Sequence, residues 1–236
     1  MFSTSYRDSS HRTTTYDGIV ESASAGLHEK AFGHFRQFVS PGAKVLDLGS
    51  GMGAWAKRLH DGNYNVTACD LDADRPPFDF PYMAVNLNQD FGGRFAEGGY
   101  DAVTVIEVIE HLENPRHVFR QIKQILRKNG ILLLTTPNAS GVYSRLRFFF
   151  TGEMAMFSND AYVVNGHITP LTAWHLDKVI REQGFTVLRR GFHDAPFLPP
   201  RSSADLAKII AWTCFRPLMF GAVGGQNLLF VLKNEG

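Results

Sequence analysis

A carboxylate followed at once by a glycine-rich turn, Val45-Leu46-Asp47-Leu48-Gly49-Ser50-Gly51-Met52-Gly53, is where spacing first implies chemistry in this 236-residue chain. Gly49, Gly51 and Ala54 satisfy the G-x-G-x-x-G/A pattern, in which bare backbone lets a ligand approach a helix N-terminus. A pyrophosphate in that turn would face Asp47 and be repelled, whereas a ligand with an ammonium group and no phosphate at that end would be attracted. Asp70 lies twenty-one residues after Gly49, the separation at which an acidic side chain closing the second strand accepts from both hydroxyls of a ribose. Glu107 and Glu110 then precede His111 and make the same crevice anionic, which suits a sulfonium.

The elements that must carry these residues alternate between strand and helix from residue 43 to residue 137, the pattern of a doubly wound parallel sheet. Asn65–Cys69 ends in Asp70-Leu71-Asp72, Tyr82–Val85 leads to Asn86-Leu87, and Tyr100–Ile106 leads to Glu107. The next helix has Asn114 as its cap and Pro115 in its first turn, with Val118, Phe119, Ile122, Ile125 and Leu126 on one face and Gly130 as terminator. After Pro137 a non-periodic stretch runs to about Pro170 and contains the apolar Phe148-Phe149-Phe150 and Met154–Phe157. A helix over Leu171–Gln183, a strand over Phe185–Leu188 and a closing strand over Leu228–Leu232 complete the expected fold, the last antiparallel beside the sheet edge. The expectation is therefore a Rossmann-like, mostly parallel α/β sheet with an antiparallel closing strand, an insertion after the fifth strand and a helical apolar C-terminal segment. Residues 1–40 form an N-terminal arm and lid helix; residues 41–236 form one domain, with the insertion at about 138–170 and the apolar segment at about 204–223.

Taken in order, the V-L-D-L-G-S-G-M-G turn, Ala68-Cys69-Asp70-Leu71-Asp72, Tyr100-Asp101-Ala102-Val103, Glu107-Val108-Ile109-Glu110-His111-Leu112 and Gly130–Asn138 resemble the class I S-adenosylmethionine (SAM)-dependent methyltransferases. The resemblance covers roughly residues 40 to 190 and is strongest to the bacterial branch of ubiquinone-biosynthesis O-methyltransferases and relatives linked to cell-surface glycans. It implies SAM as methyl donor and S-adenosylhomocysteine as product. Asp47 and the turn with Gly49, Ser50, Gly51 and Gly53 would hold the methionine part and Asp70 the ribose. Leu71 and Asn86, with Leu87 beside them, would hold the adenine, and Glu107 would lie near the methionine and the acceptor.

Methyl transfer is an in-line displacement at a sulfonium carbon, so the protein's task is to align an acceptor lone pair and exclude water. A hydroxyl acceptor also benefits from a base with a pKa near neutrality, and His111 and His167 are the candidates. Glu107 or Glu110 would orient His111; His167 lies in Asn165-Gly166-His167-Ile168-Thr169-Pro170. Structural hydrogen bonding is the competing role for both. No second cluster of metal-ligating residues stands near Glu107, Glu110 and His111 in the sequence, so no metal is expected. The leading function is O-methylation of a small amphiphilic, glycan-type or quinone-type molecule. N-methylation of a small amine, a non-catalytic SAM-binding module and an NAD-dependent oxidoreductase are the alternatives.

A net charge of +1 leaves no polyanion footprint, so nucleic acid is excluded as an expected partner. Two cysteines, Cys69 and Cys214, make no disulfide framework, and a polar N-terminus without an apolar core reads as a cytoplasmic arm. Tyr6 and Tyr16 are candidates for a lid over the cofactor. Ile209, Ile210, Trp212, Phe215, Leu218, Met219 and Phe220 crowd the segment 204–223, but its apolar run is too short to cross a bilayer, and Arg216-Pro217 would break a helix there. Six Lys/Arg against three Asp/Glu over residues 187–236, with Lys208 and Arg216 flanking the apolar residues, suit peripheral contact with an inner membrane. A cover for a small-molecule, glycan or lipid-linked acceptor, or a homodimer contact, is the other reading.

Overall fold

The computed structural model describes residues 14–72, 79–193, 203–221 and 224–236. Tyr6 lies outside them, as do the side chains of Lys208, Trp212 and Arg216. The chain opens with a short antiparallel hairpin, β1 (Thr15–Tyr16) and β2 (Ile19–Val20), that the sequence pattern did not announce. Asp17 and Gly18 make its tip, both with positive φ. Helix α1 (Leu27–Phe35) follows, and then β3 (Lys44–Leu48), α2 (Ala54–Asp61), β4 (Asn65–Asp70), β5 (Tyr82–Ala84), β6 (Tyr100–Ile106), α3 (Pro115–Ile125) and β7 (Leu126–Pro137). Beyond them lie α4 (Val142–Thr151), α5 (Ala173–Glu182), β8 (Phe185–His193), α6 (Ser203–Phe215) and β9 (Asn227–Asn234).

Seven strands form one sheet in the order β5-β4-β3-β6-β7-β9-β8. The first five are parallel, and β9 runs antiparallel to both β7 and β8. The closing strand thus stands one place in from the edge, where it pairs on both sides. Period-2 alternation explains why these strands read as continuous apolar runs: both faces are covered. Leu46, Leu48, Val103, Val105, Leu132 and Leu134 face α3 and α5, which supply Phe119, Ile122, Leu176 and Ile180. Val45, Ala102, Leu133, Leu229 and Val231 face the other way, onto Phe35 of α1 and Trp55 and Leu59 of α2.

Three expectations shift in detail. Helix α3 keeps its Asn114 cap, whose side chain accepts from the His117 N–H, but it ends at Ile125 rather than near Gly130. Leu126 already pairs with Tyr100, and a register irregularity carries β7 back into step by Ile131, so the residues before Gly130 are strand. Helix α5 starts at Ala173 because the Thr172 hydroxyl accepts from the His175 N–H and sets the boundary. The stretch after Pro137, non-periodic in sequence, contains the ten-residue α4, and the reason the pattern hides it is that only Val142 and Ser144 are buried. No described helix is long and apolar enough to cross a membrane, and α6 ends at Phe215, just before the Arg216-Pro217 pair.

Candidate functional site

The C-terminal ends of the parallel strands place the predicted residues along one crevice, beginning at the end of β3. Asp47 is buried, and the parallel register sets it beside Thr104 of β6, whose hydroxyl donates to its Oδ1 at 2.8 Å. The turn that follows needs glycine for backbone reasons: Gly49, Gly51 and Gly53 have φ of 73°, 55° and 89°. Gly49 also has no room, since a Cβ there would lie 2.5 Å from a Val108 methyl. The N–H groups of Gly49 and Ser50 both donate to the Cys69 carbonyl, and Gly51 N–H donates to Asp70 Oδ2 at 2.7 Å. Asp70 therefore braces the turn as well as closing β4, and its other oxygen accepts from Leu71 N–H. Leu71 is exposed beyond the strand end, Asn86 accepts from Asn88 N–H, and Leu87 sits in the core. Burial pushes the Cys69 thiol up to about 12, which leaves it an inert packing group.

At the end of β6 the geometry is different. Glu107 adopts φ 53°, a left-handed backbone unusual for glutamate, and its N–H donates to the Thr135 hydroxyl at 3.1 Å. Its Oε2 accepts from the Asn227 side-chain amide at 2.6 Å. Glu110 is fully buried, with Oε2 accepting from the Thr136 hydroxyl at 3.0 Å. Burial holds both carboxyl groups above the usual carboxylate range, and for Glu110 repulsion from Glu107 adds to it. Ser50 Oγ, Glu107 Oε1, Glu110 Oε1 and Asn227 Oδ1 are buried without a hydrogen-bond partner among the described residues. Acceptor oxygens of this kind on the edges of the β3 and β6 exits suit a ligand that brings an ammonium and hydroxyl donors.

His111 and His167, fifty-six positions apart in the sequence, meet here with ring centroids 4.8 Å apart. His111 Nδ1 lies 3.2 Å from the Gly166 carbonyl and His167 Nδ1 2.6 Å from the Met156 carbonyl. A carbonyl only accepts, so both rings carry the proton on Nδ1 and keep the Nε2 lone pair. Burial, and then repulsion from His167, lower the His111 pKa to about 4; burial also lowers that of His167. Both imidazoles are thus neutral near pH 7. The fold also supplies what was absent from the local sequence: one ligand atom each from Glu110, His111 and His167 lie within 4.8 Å of one another, so these three residues could hold a metal ion. Beside the β7 exit, a cavity of about 310 Å³ is lined by Ser140, Ser144, Arg145, Phe148, Met154 and Trp174 among others.

A family model described as a methyltransferase domain matches residues 25–190. The chain belongs to the class I SAM-dependent methyltransferase family. A ubiquinone biosynthesis O-methyltransferase of Erwinia tasmaniensis is 31% identical over 108 residues, 41% of this chain and 43% of that one. The chain therefore spans under half the length of that relative. A SAM-dependent methyltransferase from Archaeoglobus fulgidus shares the fold with a TM-score of 0.63 at 15% identity, over 88% of this chain and 93% of that one. A 1,6-didemethyltoxoflavin-N1-methyltransferase from Burkholderia thailandensis, solved with bound 1,6-didemethyltoxoflavin and S-adenosylhomocysteine, gives a TM-score of 0.59 at 16% identity, over 89% and 78% of the two chains. At this site the residues that sequence reasoning missed are Thr104, Thr135, Thr136 and Asn227. Each threonine sits in an apolar strand where a hydroxyl reads as β-propensity, and only pairing register reveals its partner.

Proposed function

We propose that this methyltransferase transfers a methyl group from SAM to a hydroxyl of a small amphiphilic, glycan-type or quinone-type molecule. Asp47 and the Gly49–Gly53 turn would hold the methionine part of the donor, Asp70 the ribose, Leu71 and Asn86 the adenine, and Glu107 the region of the ammonium. The bound donor supplies an electrophilic methyl on a sulfonium. The chain's part is to align an acceptor oxygen with that carbon, keep water out, and take the hydroxyl proton on Nε2 of His111 or His167.

The meeting of these two neutral histidines at the β6 exit carries this reading. Each has its proton pinned on Nδ1 by a carbonyl and is neutral near pH 7, so its Nε2 is able to receive a proton, while burial makes both imidazoles weaker bases than the near-neutral one that the sequence implies. An amine acceptor, already nucleophilic when neutral, would make little use of such a pair. The amphiphilic character of the acceptor rests on the surface nearby. Phe149 and Phe150 of α4 are 79% and 77% exposed, and Leu218 and Phe220 beyond α6 are 73% and 89% exposed. Helix α4 packs against α6, so the two apolar segments lie side by side as a surface for a lipid-linked acceptor or a membrane face.

Incubation with methyl-labelled SAM and a fractionated bacterial extract tests the proposal. Label in a lipid, quinone or glycan fraction, stable to conditions that remove carboxyl methyl esters, is the expected result. Label in protein, in RNA or on small amines would overturn the hydroxyl assignment.

A further inference from the structure

Asn227 has no place in the sequence pattern of the cofactor crevice, yet its side chain ends in it. It opens β9, opposite Pro137 of β7 and His193 of β8, and is 1% exposed. Its Nδ2 donates to Glu107 Oε2 at 2.6 Å, across 120 residues of sequence. Glu107 is thereby fixed at both ends, its backbone N–H by Thr135 and its carboxylate by Asn227. A non-glycine residue persists at φ 53° only where its surroundings over-determine it.

Strand architecture does not require this amide. The entry to β9 is already clamped by Asn138, whose N–H donates to the Gln226 carbonyl at 2.7 Å and whose side-chain amide donates to the carbonyls of Gly224 and Gly225. Gln226 N–H in turn donates to the His193 carbonyl at 2.8 Å. With the backbone held in this way, the Asn227 side chain is spare. It engages one oxygen of Glu107, and the other oxygen, Oε1, remains buried with no hydrogen-bond partner among the described residues, as does Asn227 Oδ1. Two unmatched acceptors side by side in a buried crevice call for a ligand rich in N–H or O–H donors.

We propose that Asn227 is a positioning residue of the cofactor site: it aims the Glu107 carboxylate at the ammonium-bearing part of SAM. The inference rests on the reading of Glu107 as a cofactor residue. Titration calorimetry with S-adenosylhomocysteine on the full chain tests it, together with the melting temperature of the unliganded protein. Glu107→Gln should weaken binding about tenfold, and Asn227→Ala about fivefold, with a melting temperature lowered by only about 2–4 °C by the lost buried hydrogen bond, so that the protein is still folded where binding is measured. Because both act through one carboxylate, the double variant should be no weaker than Glu107→Gln alone. Asn227→Asp keeps the shape, removes the donor and sets a carboxylate against Glu107, so it should weaken binding as well, and it serves if the alanine variant does not fold. Unchanged affinity in Glu107→Gln would overturn the underlying reading of Glu107. Weakened binding in Glu107→Gln with unchanged affinity in Asn227→Ala or Asn227→Asp, or losses that add in the double variant, would overturn the role of Asn227 alone.

Discussion

The exits of β3 and β6 lie side by side in the sheet and are built in opposite ways. At β3 the chain uses backbone: three glycines with positive φ, N–H groups tied to the Cys69 carbonyl and to Asp70, and one buried aspartate steadied by Thr104. At β6 it uses side chains gathered from far apart, with Glu107, Glu110 and His111 from the exit itself, Thr135 and Thr136 from β7, His167 from the insertion and Asn227 from β9. The first exit holds a shape. The second leaves buried acceptor oxygens and two neutral imidazoles open to chemistry, at the cost of a strained Glu107. The contrast suggests that changes at β3 damage binding and folding, while changes to the histidines at β6 damage turnover.

The largest effect should come from the histidines. Loss of the base by His111→Ala or His167→Ala is expected to slow label transfer on the order of 10²-fold or more, with affinity for S-adenosylhomocysteine little changed. Transfer that survives both single changes would place the proton elsewhere and blur the division between the two exits.

Gly49→Ala comes next, and it probes the seam between them, because the new Cβ meets Val108 of the β6 exit while the backbone keeps a positive φ. The clash and the left-handed backbone together should cost about 2–4 kcal/mol of stability by chemical denaturation. Adding Val108→Ala should recover the steric part and leave the backbone part. Recovery of nothing would mean the turn fails by itself, independently of its neighbour.

Asp47→Ala should weaken SAM binding by about tenfold or more, the loss expected for one charge-assisted contact, measured by calorimetry. It should gain no affinity for NAD. Unaltered SAM affinity would remove Asp47 from the binding surface.

The smallest effect concerns the N-terminal segment over the β3 turn. Glu21 there accepts from the Thr14 hydroxyl at 2.6 Å and from Arg58 of α2 at 2.8 Å, with His28 3.3 Å away. Hydrogen bonding from His28, followed by that from Thr14 and Arg58, holds its carboxyl at about 2. A folded pKa below the unfolded value contributes stability that is complete above about 4.5 and is lost as pH falls toward 2. Glu21→Gln should therefore lower the melting temperature by about 2–4 °C at neutral pH. Between pH 5 and pH 3 the variant should lose less stability than the wild type; parallel curves would show that the network does not steer the acid limb.

Legibility followed the same divide. The β3 turn, the carboxylate at the end of β4 and the succession of strands along the chain were readable because their determinants are local: glycine at positive φ, a carboxylate at a strand end, apolar runs of strand length. Helix α4 was not readable, since a helix that buries two residues leaves almost no periodic imprint. The grouping of Glu110, His111 and His167 escaped notice because it forms only when the Gly166 carbonyl docks on His111 and the Ile168 and Thr169 N–H groups dock on the Glu110 carbonyl.

The sequence by itself determined the doubly wound sheet, the backbone shape of the β3 turn and which carboxyl groups stand at the strand ends, because short-range sterics and strand periodicity settle those within a few residues. Tertiary structure alone decided which distant groups share the β6 exit, and burial there set their charge states, with raised carboxyl pKa values and a His111 pKa of about 4. Desolvation depends on everything packed around a group, and no window of sequence contains that information.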